Sequence, residues 1–173
     1  MIIKLIGGLF IVAASSCLGF QKALKYKNRV KELTDLQTAA AQLETEIRFT
    51  QAPLAQAFIA VSKTADGIIS AIFEEAAKRL DIHTGDTAAD AWQIAVENHR
   101  INLSMTKADL ETVISFGTAL GGSDVEGQLK HISAVREKLR VQLAEARESS
   151  QKNQKLFTSL GIYAGILIAI LLF

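Results

Sequence analysis

At 173 residues the chain has room for one domain. Its formal net charge of +1 gives no reason to expect a nucleic-acid binder, whose basic footprint is usually much larger. Nearly half the residues are hydrophobic, with one proline and one cysteine, which excludes an intramolecular disulfide and favours helices.

The first segment, residues 2–20, is apolar except for Lys4. The last, residues 156–173, contains no charge. An 18-residue helix rises about 27 Å, close to the roughly 30 Å hydrocarbon core of a bilayer, and Lys4 can snorkel its amine to the headgroups. Both segments therefore read as membrane spans around a middle region, 21–155. Lys22, Lys25, Lys27, Arg29 and Lys31 follow the first span, and Lys152 and Lys155 precede the second. Cationic flanks stay on the cytoplasmic side, so the middle is expected in the cytoplasm and both termini outward. A rival reading takes "AASSC" as a lipoprotein cleavage box with lipid on Cys17. Against it stand Ala14 three before Cys17, the apolar Leu18, Gly19 and Phe20 beyond it, and the block of five cations that follows.

Between the spans the periodicity predicts an all-α, antiparallel bundle of about six helices, the first and last continuous with the spans. Leu33, Leu36, Ala40, Leu43 and Ile47 alternate spacings of three and four, an a/d seam on the first helix. It should stop near Thr50, because Pro53 biases Ala52 away from helical angles. Proline suits the start of a second helix, with Leu54, Ala57, Phe58 and Val61 on one face. Ile68, Ile69, Ile72, Phe73, Ala76 and Leu80 mark a third. Thr84, Asp86 or Thr87 can cap a fourth whose core face is Trp92, Ala95, Val96 and His99. A fifth follows Ser104 or Thr106, with Leu110, Val113, Ile114, Gly117 and Leu120 on one stripe. Gly121 and Gly122 then end it, and Ser123 with Glu126 forms a capping box for the last helix, Asp124 adding charge that suits the dipole. Val125, Leu129, Ile132, Leu139, Leu143 and Ala146 form its seam.

Chemistry is thin along this chain. His83, His99 and His131 lack metal-ligand spacing, and "LGGSD" lacks the lysine of a phosphate loop. The reading is of a protein that is not an enzyme, with no cofactor and no metal. Glu44 and Arg48, four apart in the favourable order, sit with Glu46 and Lys63 near the proline turn. They read either as a solvated helix face or as a charged partner-docking edge, which helical spacing does not separate. Pro53, Leu54, Gly121, Gly122, Ser123, Asp124 and Glu126 read as turn and cap residues. Gly161 and Gly165 share one side of the last span, a spacing that lets helix backbones approach, either within the chain against Gly7, Gly8, Ala13 or Ala14, or between two copies.

The pieces "KLIGG", "LETEIRFTQAPLAQAF", "FGTALGGSDVEGQLKHI" and "KLFTSLGIYAGILIAILL" stand in this order along essentially the whole chain, and together they resemble the stage III sporulation protein AB family of endospore-forming bacteria. That family is similar in turn to the cytoplasmic domain of the inner-membrane platform proteins of type II secretion and type IV pilus machines. In that comparison "TQAPLAQAF", "HTGDTAADAW" and "GGSDVEGQL" occupy three small-residue turns. The resemblance implies a platform in the channel complex joining mother cell and forespore, in the mother-cell-derived outer forespore membrane, with the bundle in the mother-cell cytoplasm. The implied partners are stage III sporulation protein AA, a secretion-type ATPase, and the other stage III channel proteins. Platform proteins carry two such domains and three spans, so a homo-oligomer is the implied way to an equivalent surface. A membrane-tethered signalling or scaffold module is the alternative function.

Overall fold

The computed structural model describes residues 2–49, 53–81, 87–118, 120–122 and 124–172, with side chains from Gly7 to Leu171. Six α-helices occur in chain order among these residues: α1 (Ile2–Phe49), α2 (Leu54–Thr64), α3 (Gly67–Asp81), α4 (Ala88–His99), α5 (Lys107–Gly117) and α6 (Val125–Leu172). A 3-10 turn, Arg100–Asn102, follows α4, and no strand is present among the described residues. The all-α expectation holds. Two of these helices, α1 and α6, contain stretches long and apolar enough to cross a membrane, by length and composition.

The chain divides into two compact units. One comprises the residues up to Val30 and from Glu145 onward, so it is built from the first part of α1 and the last part of α6. The other, Lys31–Ala144, holds the rest.

The core of the Lys31–Ala144 unit is aromatic. Trp92 of α4 lies at its centre, its ring centroid 4.8 Å from Phe73, 5.1 Å from Phe116 and 5.8 Å from Phe58. All four rings are fully buried. Such tilted and edge-on pairs add to the roughly 1.5–3 kcal/mol that each large side chain contributes by leaving water. The indole N–H is satisfied by donating to the Val113 carbonyl at 2.7 Å. Helix α5 can lie this close because residue 117 has no side chain: a Cβ there would stand 2.3 Å from Trp92 Cδ1 and 2.5 Å from Cγ.

The expected seam of α1 is buried at Leu33, Leu36, Ala40, Leu43 and Ile47. On α5 the expected stripe is rotated. Val113, Gly117 and Leu120 are buried, but Leu110 and Ile114 are only half-buried, and the face is completed by Phe116 with two polar residues, Asp109 and Thr112. Hydrogen bonds permit this: Gln142 Nε2 of α6 donates to the Ala108 carbonyl at 3.0 Å and to Thr112 Oγ1 at 2.9 Å, and buried polar groups need such partners. On α6, Ile132, Leu139, Leu143 and Ala146 are buried as expected, joined by Val135 and Gln142. Val125 instead is 48% exposed, because as the first residue of the helix it precedes the packed part of the seam.

Candidate docking site at the turns

Three helix starts meet at one end of the Lys31–Ala144 unit. Gly121, between α5 and α6, has φ +76°, and its Cβ position would lie 3.1 Å from Ala88 Cβ and 3.9 Å from Leu54 Cδ2. Ala88 and Leu54 are the first residues of α4 and α2. The three small-residue turns, far apart in sequence, thus share one corner. Of the expected turn and cap residues, Pro53, Leu54, Gly121, Gly122, Asp124 and Glu126 all belong to it. Thr50, Ala52, His83, Thr84, Asp86 and Ser123 lie outside the described residues.

Each helix start carries partial positive charge and unpaired N–H groups, and the three are treated differently. At α4, Thr87 and Asp90 form a reciprocal capping box: Thr87 N–H donates to Asp90 Oδ2 and Asp90 N–H to Thr87 Oγ1, both at 3.2 Å. The bonds from the Thr87 hydroxyl and N–H hold the Asp90 carboxyl below its ordinary range. At α6 the cap is Asp124, whose Oδ1 accepts from Gly127 N–H at 3.0 Å. The helix therefore begins one residue later than a Ser123–Glu126 box requires, and Glu126 stands one position short of the reciprocal site. At α2, Pro53 precedes the helix with no side-chain cap. The exposed surface here combines Pro53, Thr87, Asp90, Asp124 and Glu126 with Val125. Phe49, the last residue of α1, is 77% exposed.

The left-handed backbone at Gly121 makes the two adjacent glycines unequal. Gly121→Ala should cost roughly 1–2 kcal/mol for a side chain at positive φ, whereas Gly122→Ala, with open space where its Cβ would go, should stay within about 0.5 kcal/mol. Paired urea titrations check this, and equal losses would contradict the geometry.

The charged candidates separate. Glu44 is held between two arginines: Oε1 accepts from Arg48 Nη2 at 3.0 Å and Oε2 from Arg136 Nη1 of α6 at 2.6 Å. Its role in the fold is to tie α1 to α6, a different use from a free docking charge. Glu46 is half-buried and Arg48 is exposed, both in the last turn or two of α1 before Phe49. Lys63 lies in the last turn of α2, next to Thr64, whose Oγ1 donates to Gln42 Oε1 of α1.

Sequence reading also missed a carboxylate. Glu32 of α1 is buried, with both oxygens accepting from the Ser104 N–H at 2.8 and 3.1 Å. Burial raises its pKa above the usual 4.5, against the lowering effect of Ser104, and the charges of Asp109 and Asp35 raise it further. A raised folded pKa means that ionisation costs the fold. The cost is absent well below pH 4.5, grows as pH rises through the raised folded value, and is complete above it. Glu32→Gln keeps an acceptor for Ser104 and removes the charge. Its melting temperature relative to wild type should accordingly be higher at pH 7 than at pH 4, while Glu32→Ala should lose about 1–3 kcal/mol at pH 7 by stranding the N–H.

The other unit has its own close contact. A Cβ at Gly161 would lie 2.9 Å from the Ser15 carbonyl oxygen and 3.0 Å from Gly19 Cα, and one at Gly165 would lie 2.9 Å from Val12 Cα. Ser15 Oγ donates to the Gly161 carbonyl at 2.6 Å. Tyr26 stacks on Phe157 with centroids 5.8 Å apart. Gly161 and Gly165 thus meet Val12, Ser15 and Gly19 of α1 within the chain; Gly7 has nothing within 4 Å of its Cβ position. Cys17 is exposed.

The histidines stay apart. His99 Nε2 is 3.1 Å from Glu75 Oε2, and His131 Nε2 is 2.8 Å from the Ser115 carbonyl. Among the described residues no three His, Cys, Asp or Glu side chains group closely enough to hold a metal ion.

A family model described as stage III sporulation protein AB matches residues 4–173. Stage III sporulation protein AB of Bacillus subtilis (strain 168) is 34% identical over 170 residues, covering 98% of this chain and 99% of that one. A solved structure of a stage III sporulation protein AB superposes with a TM-score of 0.67 at 28% identity, covering 72% of this chain and 97% of the solved one.

Proposed function

Because the chain belongs to the stage III sporulation protein AB family, its role lies in sporulation, and we propose that it acts there as a non-enzymatic membrane platform. In this reading the apolar parts of α1 and α6 span the mother-cell-derived outer forespore membrane. The Lys31–Ala144 unit faces the mother-cell cytoplasm and both termini face the intermembrane space. The partner is stage III sporulation protein AA, a secretion-type ATPase, and the platform passes its motion to the other stage III channel proteins. The transfer in this reading is mechanical, through α1 and α6, each of which contributes residues to both units.

The observation that carries the proposal is the corner where the starts of α2, α4 and α6 meet. At or next to those helix starts Val125, Asp90, Asp124 and Glu126 are exposed, apolar and acidic side chains of the kinds that interaction surfaces combine, and Phe49, the last residue of α1, is exposed four residues before Pro53. Glu46 and Arg48, in the last turns of α1, are included in the proposed surface. Full-length protein in lipid nanodiscs should capture the ATPase, and Phe49→Ser combined with Glu126→Lys should weaken capture at least tenfold, on the order expected for an interface anchor. The melting transition should stay unchanged. Undiminished capture by this variant would remove the docking assignment, and Lys63→Glu, at the far end of α2, serves as the control expected to bind normally.

A further inference from the structure

We propose that a groove between α1 and α6 is a binding site for the phosphate of an anionic phospholipid. The groove is lined by Phe20, Ala23, Leu24 and Lys27 of α1 and by Gln154, Lys155, Thr158 and Ser159 of α6. On α1 these residues follow i, i+3, i+4, i+7 spacing, so they form one continuous face. It grades from exposed Phe20 and Leu24 to exposed Lys27. Across from it, Lys155 precedes the uncharged stretch that begins at Leu156, with two hydroxyls and an amide beside it.

This is the composition that a phospholipid needs. Apolar side chains would accept the upper acyl chain, and the two ammonium groups with the Ser159 hydroxyl would serve the phosphate, while the Thr158 hydroxyl donates to the Gln154 carbonyl at 2.8 Å and the Gln154 amide to Ser150 Oγ at 2.6 Å. Basic pockets between membrane helices on the cytoplasmic side bind anionic headgroups in this way. The lysines are also available. Lys152, on the same helix, is held by Glu148 at 2.7 Å, whereas among the described residues no carboxylate within salt-bridge distance is found for Lys27 or Lys155. A general preference for cations at the cytoplasmic face accounts for the presence of lysines but not for their joining hydroxyls and aromatic carbon in one groove. The inference rests on the membrane reading above.

The test uses full-length protein, delipidated in detergent and titrated with phosphatidylglycerol or phosphatidylcholine by native mass spectrometry. The wild type should prefer phosphatidylglycerol. Lys27→Ala with Lys155→Ala should lower that preference by about 25-fold, taking roughly fivefold per cation at an anionic lipid surface. Lys22→Ala with Lys25→Ala removes the same amount of charge from the α1 flank outside the groove and should change it less than threefold. Equal losses in the two double variants, or no preference in the wild type, would overturn the proposal. Displacement of phosphatidylglycerol by millimolar inorganic phosphate would also overturn it, assigning the groove to the free ion. Carbonate extraction of cell membranes keeps the two readings apart: protein retained in the membrane without lipid preference defeats this inference alone, and protein released from the membrane defeats the platform reading with it.

Discussion

Gly117→Ala should lower the unfolding free energy by about 2–3 kcal/mol, the upper part of the range for overpacking a core. The added methyl would stand 2.3 Å from Trp92 Cδ1, 2.5 Å from Cγ and 2.7 Å from Cβ. None of these is the loose end of a flexible chain. The indole is fixed by Phe58, Phe73 and Phe116 around it and by its bond to Val113. Moving it disturbs all four elements that meet there; moving α5 breaks the N–H bond. Because Trp92 is the chain's one tryptophan, its fluorescence reports the event directly. Melting should fall by about 5–10 °C, using the usual 2–4 °C per kcal/mol for a chain of this length, with emission shifted to the red. An unchanged melting curve and spectrum would contradict the packing described.

The second large effect belongs to the other unit. A side chain at residue 19 would begin 2.5 Å from the Phe157 carbonyl oxygen and 2.9 Å from Gly161 Cα. Both are backbone atoms, so no rotamer change relieves the clash, and Gly19→Leu must push the helices apart. Small residues permit such close helix pairs in membranes, where lipid competes on equal terms with a poorly packed protein face. Cysteines at positions 26 and 157, placed where Tyr26 and Phe157 now stack, report the separation in a Cys17→Ser background. Oxidative cross-linking in native membranes should fall on the order of tenfold with Gly19→Leu and stay high with Gly7→Leu, since Gly7 has nothing near its Cβ position. Equal cross-linking in both would mean that the contact is dispensable.

What could be read from the sequence is what depends on neighbours along the chain. The α1 seam and the proline start of α2 rest on neighbours along the chain, and the structure has both; of the alternatives Thr84, Asp86 or Thr87 and Ser104 or Thr106 offered ahead of α4 and α5, the structure has Thr87 and Thr106 as caps. Both caps are followed three residues later by aspartate, so Asp90 and Asp109 were legible as box partners although neither was singled out. Long-range pairing was not legible. The Glu44–Arg136 bond joins residues 92 apart, and the Gln142–Thr112 bond joins residues 30 apart. Nothing local tells a solvated charge from one bridging two helices, and this is why Glu44 read as a docking candidate. The rotation of α5 has two origins: Asp109 is buried while its carboxylate accepts from the Thr106 N–H of the local capping box at 2.8 Å, and Thr112 is buried against Gln142, 30 residues away, whereas counting apolar residues favoured Leu110. Gly161 and Gly165 announced a close approach, but which residues they met depended on how two distant segments pair.

The platform account stands or falls on coupling. The direct measurement is ATP turnover by stage III sporulation protein AA, alone and with the full-length protein in nanodiscs, at matched concentrations and with empty nanodiscs as control. The account predicts turnover altered at least threefold by the wild-type protein, and restored to the control rate by Phe49→Ser with Glu126→Lys. Turnover identical to the control across a saturating titration, with Trp92 fluorescence reporting a folded bundle, would contradict it.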